Sequence, residues 1–402
     1  MMYTEQRWPE NRSPDRHQTG TSKAHQFLLS GSVRVFVLGL FSLLAILPAQ
    51  AQVFTGNLTL RTQAHVDTFA FTEVAGTLRI EGSDITYLDS LSGLASVGEL
   101  EITGNAALTS LDGLSSLTSV GDDLTIRDNA ALTSLDGLSS LISVGNDLFI
   151  DRNAALTSLD GPSSLTSIGR RLFIRDNDAL TSLDGLSSLT QTGTTLAIEG
   201  NDALTSLGGL SDLTSVGHFS ISGNAALTSL DGLSSLIQNE RSWVIEGNAA
   251  LANLDAFSGL TSVAALHIRD NAALTSLNGL SDLTSFGSIL QIRNNDALTS
   301  LDGLNGLTSV GGTLAIEGND ALTSLDGLNG LTSVVNFFIS GNALTSLDGL
   351  SGLTSAEELG ISGEALTSLA GLSGLASVRG LHIIGNATLT SLEGLSSMTL
   401  GY

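Results

Sequence analysis

The chain has 402 residues, of which 16 are Lys or Arg, 40 are Asp or Glu and none is Cys, and its net charge is −24. A surface this acidic repels nucleic-acid phosphates and anionic membranes, so neither is expected as a general partner. The absence of cysteine excludes disulfides, thiol catalysis and cysteine-ligated metal.

The first residues predict an exported protein. A polar stretch, Met1 to Ser32, precedes the apolar run Val35 to Leu47, and Ala49 and Ala51 then lie at the −3 and −1 positions of a signal peptidase site. The apolar run is shorter than the roughly 20 residues of a membrane span, so an uncleaved anchor is the less favoured alternative. We predict a signal peptide at residues 1–51, with a long polar n-region for which an early start assignment is one explanation. The protein is then secreted, or lies in the cell envelope (periplasm or outer surface) of a bacterium, with no membrane span after cleavage.

Residues 52–77 predict an N-terminal cap. Gln63 to Ala70 has the spacing of apolar residues that is typical of a helix, and it lies just before the first repeat. Repeat arrays need a terminal element that covers the first turn.

From residue 78 to residue 402 the sequence repeats a unit of 22 to 24 residues. In one unit Leu124-Thr-Ile126 alternates as a short strand does, and apolar residues then fall at every third position, at Leu132, Leu135, Leu138, Leu141 and Val144. A fixed period of this length predicts a β-rich solenoid, a right-handed coil whose turns bury one another's apolar sides. Because Leu-x-Ile-like triplets recur 14 times from Leu78 to Leu381, we expect one long parallel sheet of about 14 short strands and little regular helix.

Each unit carries an Asn three residues after the strand Ile. A carboxamide both donates and accepts, so a stack of these side chains can bond the backbone at a bend and the equivalent turn beside it. The residue before it, from Gly82 to Gly385, is Gly, Asp or Asn, which tolerate a left-handed backbone, with Arg152 as the exception. We predict a tight bend and a structural ladder, with Glu364 in the one missing place. The ladder comprises Asn105, Asn129, Asn153, Asn177, Asn201, Asn224, Asn248, Asn271, Asn295, Asn319, Asn342 and Asn386.

The Asp-Gly pairs, as in Leu135-Asp-Gly-Leu138, predict a second corner at which the Asp side chain bonds its own backbone. A row of Asp residues also suggests calcium, but each unit supplies one carboxylate followed by Gly, and the nonapeptide of calcium-binding β-rolls is absent. We therefore expect no cofactor and no metal.

Two segments and two repeated motifs carry a family resemblance: Thr62-Gln-Ala-His-Val-Asp-Thr-Phe69, Val74-Ala-Gly-Thr-Leu-Arg-Ile80, Leu-Thr-Ser-Leu-Asp-Gly-Leu, and Leu-Thr-Ser-Val-Gly-x-x-Leu-x-Ile-x-x-Asn. From about Val53 to Tyr402 the chain resembles the leucine-rich repeat superfamily, and more closely the bacterial proteins related to receptor L domains. The resemblance implies a scaffold that serves many partners and identifies none of them. A receptor role does not follow, because the chain has neither the bracing cysteines nor an appended kinase, fibronectin-like or sorting domain.

Motifs of catalytic chemistry are missing from the sequence, which has no phosphate loop, no His-Glu-x-x-His and no Gly-x-Ser-x-Gly. His267 and His382 occupy strand positions five units apart, roughly 24 Å, which is too far to share a metal. We predict that the protein is not an enzyme. A carboxylate and arginine pair of the polysaccharide lyase type is the alternative.

The outward middle residue of each strand varies while the rest of the unit hardly changes. Variation confined to one face of a sheet is available to a ligand, although neutral drift of solvated residues explains it as well. In chain order the residues are Arg79, Glu101, Thr125, Phe149, Phe173, Ala197, Ser220, Val244, His267, Gln291, Ala315, Phe338, Gly360 and His382.

One part of this face combines aromatic and basic residues. Phe149 and Phe173 lie on adjacent strands within a stretch of five arginines, and two exposed rings beside guanidinium groups predict a site for an anionic glycan or an acidic peptide. The alternative is that Arg127, Asp151 and Arg175 alternate in charge down the sheet and only stabilise it. The candidate ligand face comprises Arg127, Phe149, Asp151, Arg152, Arg171, Phe173 and Arg175.

The sequence therefore favours an exported, non-enzymatic interaction protein that binds a surface glycan or protein through the variable strand face. The alternative is a structural rod or spacer of the cell envelope without a specific ligand. End-to-end self-association is a further possibility for either hypothesis.

Overall fold

The computed structural model describes residues 52–236 and 239–400, without the side chains of residues 239, 240 and 400. The predicted signal peptide, residues 1–51, lies outside the described residues. No helix within the described ranges is long and apolar enough to cross a membrane.

The described residues form a coil in which every turn adds parallel strands to one sheet. This sheet has 21 strands within residues 52–236 and 239–400. They are β1 Val53–Phe54, β2 Leu58–Leu60, β3 Glu73–Ile80, β4 Ser96–Thr103, β5 Ser119–Val120, β6 Leu124–Arg127, β7 Ser143–Val144, β8 Leu148–Asp151, β9 Ser167–Ile168, β10 Arg171–Arg175, β11 Gln191–Thr192, β12 Thr195–Glu199, β13 His218–Ser222, β14 Asn239–Glu246, β15 Val263–Arg269, β16 Ser285–Arg293, β17 Ser309–Glu317, β18 Ser333–Ser340, β19 Ser355–Ser362, β20 Ser377–Ile384 and β21 Thr399–Leu400.

The parallel solenoid is as predicted, but the expected number of strands is too low. The 14 predicted triplets all lie in strands, and equivalent residues such as Leu124, Leu148 and Leu172 pair in register. Four of the seven additional strands arise because the chain also pairs just before the triplet, where β5, β7, β9 and β11 form a second parallel row. The other three, β1, β2 and β21, lie at the two ends of the described sheet. In later units the two segments join into one longer strand, as in β17.

From β4 onward, each main strand ends at a bend with a left-handed backbone. In the unit of β6, Asp128 has φ 57° and the N–H of Leu132 then donates to the carbonyl oxygen of Asn129 at 3.0 Å. Every predicted bend position except the first has this positive φ, including Arg152 at 53°. The expectation for Gly82 is wrong. It precedes Ser83 rather than an Asn, and its N–H donates to Oδ1 of Asn105.

The Asp-Gly corners form short 3₁₀ helices, except at Asp160-Gly161, where the chain makes a turn. At such a corner the N–H of Asp136 donates to Oγ of Ser134 at 2.9 Å, which corrects the prediction that the Asp bonds its own backbone. A serine two residues earlier already fills that role. Within the described residues the 3₁₀ helices are Asp89–Leu91, Asp112–Leu114, Asp136–Leu138, Asp184–Leu186, Gly208–Leu210, Asp231–Leu233, Asp255–Phe257, Asn278–Leu280, Asp302–Leu304, Asp326–Leu328, Asp348–Leu350 and Ala370–Leu372.

A single continuous core runs along the coil. The residues predicted to point inward in the unit of β6 are each at most 1% exposed, and burial of a Leu, Ile or Val side chain contributes roughly 1.5 to 3 kcal/mol. They are Leu124, Ile126, Leu132, Leu135, Leu138, Leu141 and Val144. Phe219, Trp243 and Phe257 pack against one another elsewhere in the same core.

The segment predicted as a cap contains one α-helix and the start of the sheet. Helix α1, Gln63–Asp67, begins after Thr62, whose Oγ1 accepts a hydrogen bond from the N–H of His65, and it buries Val66. Strands β1 and β2 pair with β3, so the sheet begins before residue 78.

Candidate ligand face

The Asn side chains at the bends hold successive turns together. Nδ2 of Asn129 donates to the carbonyl oxygen of Ile102 in the preceding unit at 2.9 Å, while its Oδ1 accepts from the N–H and Nδ2 of Asn105 at 3.1 and 3.0 Å. Asn129 is fully buried. A buried amide with all these partners fixes the bend and leaves nothing for a ligand, so these residues form the frame of the coil.

Glu364 occupies one place in this ladder. Its Oε1 accepts from the N–H of Asn342 at 3.0 Å, and its Oε2 accepts from the N–H of Leu344 at 3.2 Å. Burial raises the pKa of Glu364, while the hydrogen bonds from Asn342 and Leu344 oppose the rise. Because a carboxylate has no amide hydrogen to donate, the next member, Asn386, keeps a buried Oδ1 without a partner in the described residues.

On the outward face of the sheet, Phe149 and Phe173 stack. Their ring centroids are 5.2 Å apart, with an angle of 16° between the planes. The guanidinium carbon of Arg175 lies 3.9 Å from the Phe173 centroid, and that of Arg171 lies 5.3 Å from it. Arg171 and Arg127 lie 5.7 and 5.8 Å from the Phe149 centroid. The rings and the arginines therefore form one packed cluster.

Carboxylates from neighbouring strands hold the arginines of this cluster. Arg127 Nη2 lies 2.6 Å from Oδ2 of Asp151, and Arg175 Nε lies 3.2 Å from Oε2 of Glu199. Arg171 binds Asp147 through its backbone N–H and its guanidinium group. That contact raises the pKa of the Arg171 guanidinium, and Asp147 is 1% exposed.

Asp151 is also buried, and its Oδ1 has no hydrogen-bond partner in the described residues. Burial raises the pKa of Asp151, and the hydrogen bond and charge of Arg127 act in the opposite direction. The charges Arg127, Asp151 and Arg175 alternate on paired strands, which is the arrangement of the stabilising alternative.

Two of the predictions for this face need correction. Phe173 is only 7% exposed, because neighbouring strands place the Phe149 ring against one side of it and arginine side chains over the rest. Arg152 is not in the cluster. It lies at the bend, where its Nε and Nη2 donate to both carboxylate oxygens of Asp128 and lower the pKa of that carboxyl group. The surface that this cluster presents to solvent consists of the half-buried ring of Phe149 and the partly exposed arginines, each of which is paired with a carboxylate.

Asp147 was not among the residues predicted for this face, although the repeat period contains the signal for it. It precedes Arg171 by 24 residues, one full unit, and the sheet register brings residues at this separation together on adjacent strands. The ion-pair partner of an outward arginine is therefore expected one repeat unit before or after it in the sequence.

A second row of charges crosses the outward face further along. Glu246, Arg269, Arg293 and Glu317 are paired in register, and each arginine contacts the outer glutamate beside it at 2.8 Å. Next to this row, Nδ1 of His267 lies 2.8 Å from Oε1 of Gln291, and burial lowers the pKa of His267. Within the described part of the chain, no three His, Cys, Asp or Glu side chains come close enough to hold a metal ion.

Comparison of the chain with protein-family models and with curated proteins gives no match. Among solved structures it is similar to an internalin, InlF, of Listeria monocytogenes, at 18% identity and TM-score 0.42, over 78% of this chain and 87% of that one. It is similar to the APL1 leucine-rich repeat domain at 17% identity and TM-score 0.37, over 86% and 85%. The functional domain of InlJ from the same bacterium gives 18% identity and TM-score 0.30, over 73% and 69%. The fold follows from the described coil and does not depend on these similarities. Its leucine-lined turns, its parallel sheet and its Asn bends are those of a leucine-rich repeat solenoid.

Proposed function

We propose that this leucine-rich repeat solenoid is an exported, non-enzymatic interaction protein that binds a protein or glycan at a bacterial surface through the outward face of its main strands. One observation carries the proposal. The buried frame is nearly the same from unit to unit, whereas the outward row changes from Thr125 to Phe149 to Ser220 to His267. A scaffold that holds different side chains in fixed register presents a specific surface.

The cluster around Phe149 and Phe173 supports recognition by shape more than by charge. Its arginines are paired with Asp147, Asp151 and Glu199, so little positive charge is left over for an anionic ligand. Side chains locked in this way lose little conformational entropy when a partner binds. The preferred partner of this part of the face is therefore a neutral or mixed surface.

A matched pair of variants tests the proposal. The full chain and each variant are applied to an array of bacterial surface glycans and surface-protein extracts. Thr125→Arg places a long side chain next to Phe149 on the outward face, whereas Ser139→Arg makes the same charge change at an exposed 3₁₀ corner. We expect Thr125→Arg to lower binding at least tenfold and Ser139→Arg to leave it unchanged.

Two results would refute the proposal. If the wild-type chain binds nothing on the array, a structural role without a ligand is the better account. If both variants lose binding equally, the outward face is not the recognition surface. Circular dichroism of both variants excludes unfolding as the cause.

A further inference from the structure

One side of the Phe149 ring is open on the outward face of the sheet. Its other side is covered by Phe173, which stacks on it with 5.2 Å between the ring centroids. On the open side its neighbour in register is Thr125, whose short side chain is partly exposed. Beyond Phe173 the neighbour in register is Ala197, which is 1% exposed, and the guanidinium carbon of Arg175 lies 3.9 Å from the Phe173 centroid. The cluster is therefore closed toward β12 and open toward β6.

We call this open side the Thr125 notch. It consists of Glu101 on β4, Thr125 on β6 and Phe149 on β8, which are paired in register and share the outward face. Thr125 has the shortest side chain of the three and forms the floor between the other two. Phe149 and Glu101 are two strand spacings apart, roughly 10 Å, which admits one ring-sized group packed against Phe149.

Polar groups surround the notch. The hydroxyl group of Thr125 has no hydrogen bond within the described residues, so it is available to donate and to accept. Nη2 of Arg79 holds the Glu101 carboxylate at 2.7 and 2.8 Å, and Nη2 of Arg127 holds Oδ2 of Asp151 at 2.6 Å. Because a carboxylate has about four acceptor sites and a guanidinium group about five donors, each member of these pairs keeps capacity for a ligand hydroxyl.

The charges around the notch select against an ion of either sign. The two ion pairs that flank it are each neutral. Asp123, just before β6 and on the same face as Thr125, adds one carboxylate that repels an anionic ligand. A cation at the ring would lie beside the guanidinium carbon of Arg127, which is 5.8 Å from the Phe149 centroid. The occupant that fits is uncharged, with one apolar face and several polar groups at its rim.

Building on the proposed function, we infer that the Thr125 notch takes a neutral sugar ring of a surface glycan. The C–H groups on the face of the sugar pack against the open side of Phe149, because the face of an aromatic ring is electrically negative. The hydroxyl groups at the rim of the sugar reach the hydroxyl of Thr125 and the paired charges of Glu101 and Arg127. An apolar protein side chain in this place would displace water from the same polar groups without replacing its hydrogen bonds.

Fluorescence anisotropy with labelled hexasaccharides tests the inference on the full chain. The neutral probes are hexasaccharides of glucose, mannose, galactose and N-acetylglucosamine, and the acidic probe is that of galacturonate. Phe149→Leu removes the aromatic face, and Thr125→Phe fills the notch at an outward position where Phe149 and Phe173 already stack. Phe338→Leu is the matched control, since it makes the same substitution at a ring of the same outward row that is 37% exposed. None of these changes alters the net charge, and circular dichroism checks that each variant is folded.

We expect at least one neutral hexasaccharide to bind, the galacturonate probe to bind more weakly, and both notch variants to lower the affinity about tenfold. Phe338→Leu keeps wild-type affinity. The inference is wrong if no neutral hexasaccharide binds wild type, if galacturonate binds more tightly, or if Phe149→Leu binds as well as Phe338→Leu. The proposed function survives these results when wild type still binds a surface protein on the array, whereas a chain that binds nothing on either test refutes both.

Discussion

Glu364 shows how a single residue adapts the frame to a shortened turn. In the regular unit Asn319 is followed by Asp320-Ala321-Leu322, and the N–H of Leu322 donates to the carbonyl oxygen of Asn319 at 2.9 Å. In the next unit only one residue separates Asn342 from Leu344. Leu344 then donates to Oε2 of Glu364, so the second carboxylate oxygen replaces a bond that the shorter turn has lost.

The pKa of this carboxyl group predicts a pH dependence. Burial raises the pKa of Glu364 above its ordinary value of 4.5, so the folded protein holds the proton more tightly than the unfolded chain. Its contribution to stability is then fully present below pH 4.5 and is lost as the pH rises through the folded-state pKa. Glu364→Gln cannot titrate. We expect its free energy of unfolding to increase relative to wild type between pH 4 and pH 8.

Urea unfolding of both proteins across this range measures the difference. Glu393→Gln, which removes an exposed carboxyl group later in the chain, serves as the control. The opposite result, a stability of wild type that rises relative to Glu364→Gln as the pH rises, would contradict this prediction. It would mean that the hydrogen bonds from Asn342 and Leu344 affect the pKa of Glu364 more than burial does.

The order of the charges on the candidate face is predictable from the sequence, but the exposure of its side chains is not. The 24-residue spacing of Arg127, Asp151 and Arg175 is readable from the chain and sets the register. The burial of Phe173 depends on where the flexible arginine side chains lie. One of them, Arg171, is held over the ring by Asp147, which lies just before β8. Alternation along a strand tells which side a residue points to, not what covers it.

At the scale of the element, the 3₁₀ corner explains why glycine predominates at one place of each unit, where only Ser90 and Ala256 replace it among the 3₁₀ helices of the described residues. In Gly208–Leu210, a Cβ on Gly209 would overlap the carbonyl group of Leu183 in the preceding turn, whereas a Cβ on Gly208 meets only Oγ of Ser206 at 3.4 Å and Oδ1 of Asp184 at 4.0 Å. The close approach of backbones at the second glycine sets the spacing between turns.

The two neighbouring glycines therefore provide a matched comparison. We expect Gly209→Ala to lower the free energy of unfolding by about 1 to 3 kcal/mol, because the backbone of one turn must move, a change that the unit with Ala256 at this place accommodates. Gly208→Ala changes it by less than about 1 kcal/mol, since Ala370 already occupies the equivalent place elsewhere. Urea unfolding followed by circular dichroism gives both values. Equal losses would mean that the turns do not approach as closely as described.

Elements of the coil were predictable where the period alone determines them. The triplets gave the main strands, and the Asp-Gly pairs gave the corners. The second row of strands, such as Ser143–Val144, was not foreseen. Two residues are too few to show alternation, and their pairing depends on the turns on either side.

At the scale of the molecule, the coil separates stability from recognition. Frame residues such as Asn201 bond the turns before and after them, while Thr125 and its equivalents contribute little to those bonds. This separation is possible in a solenoid because each turn contacts only its neighbours, so the outward row can vary without changing the core.

One paired measurement tests this separation most directly: the affinity of the folded protein for a surface component captured by wild type, together with its free energy of unfolding. Asn201→Ala removes the bonds to the Ile174 carbonyl oxygen and to Asn224, which should cost about 3 kcal/mol of stability while the folded protein binds as wild type does. Thr125→Arg should lower binding at least tenfold at unchanged stability. Loss of affinity in folded Asn201→Ala, or full binding by Thr125→Arg, would contradict the account.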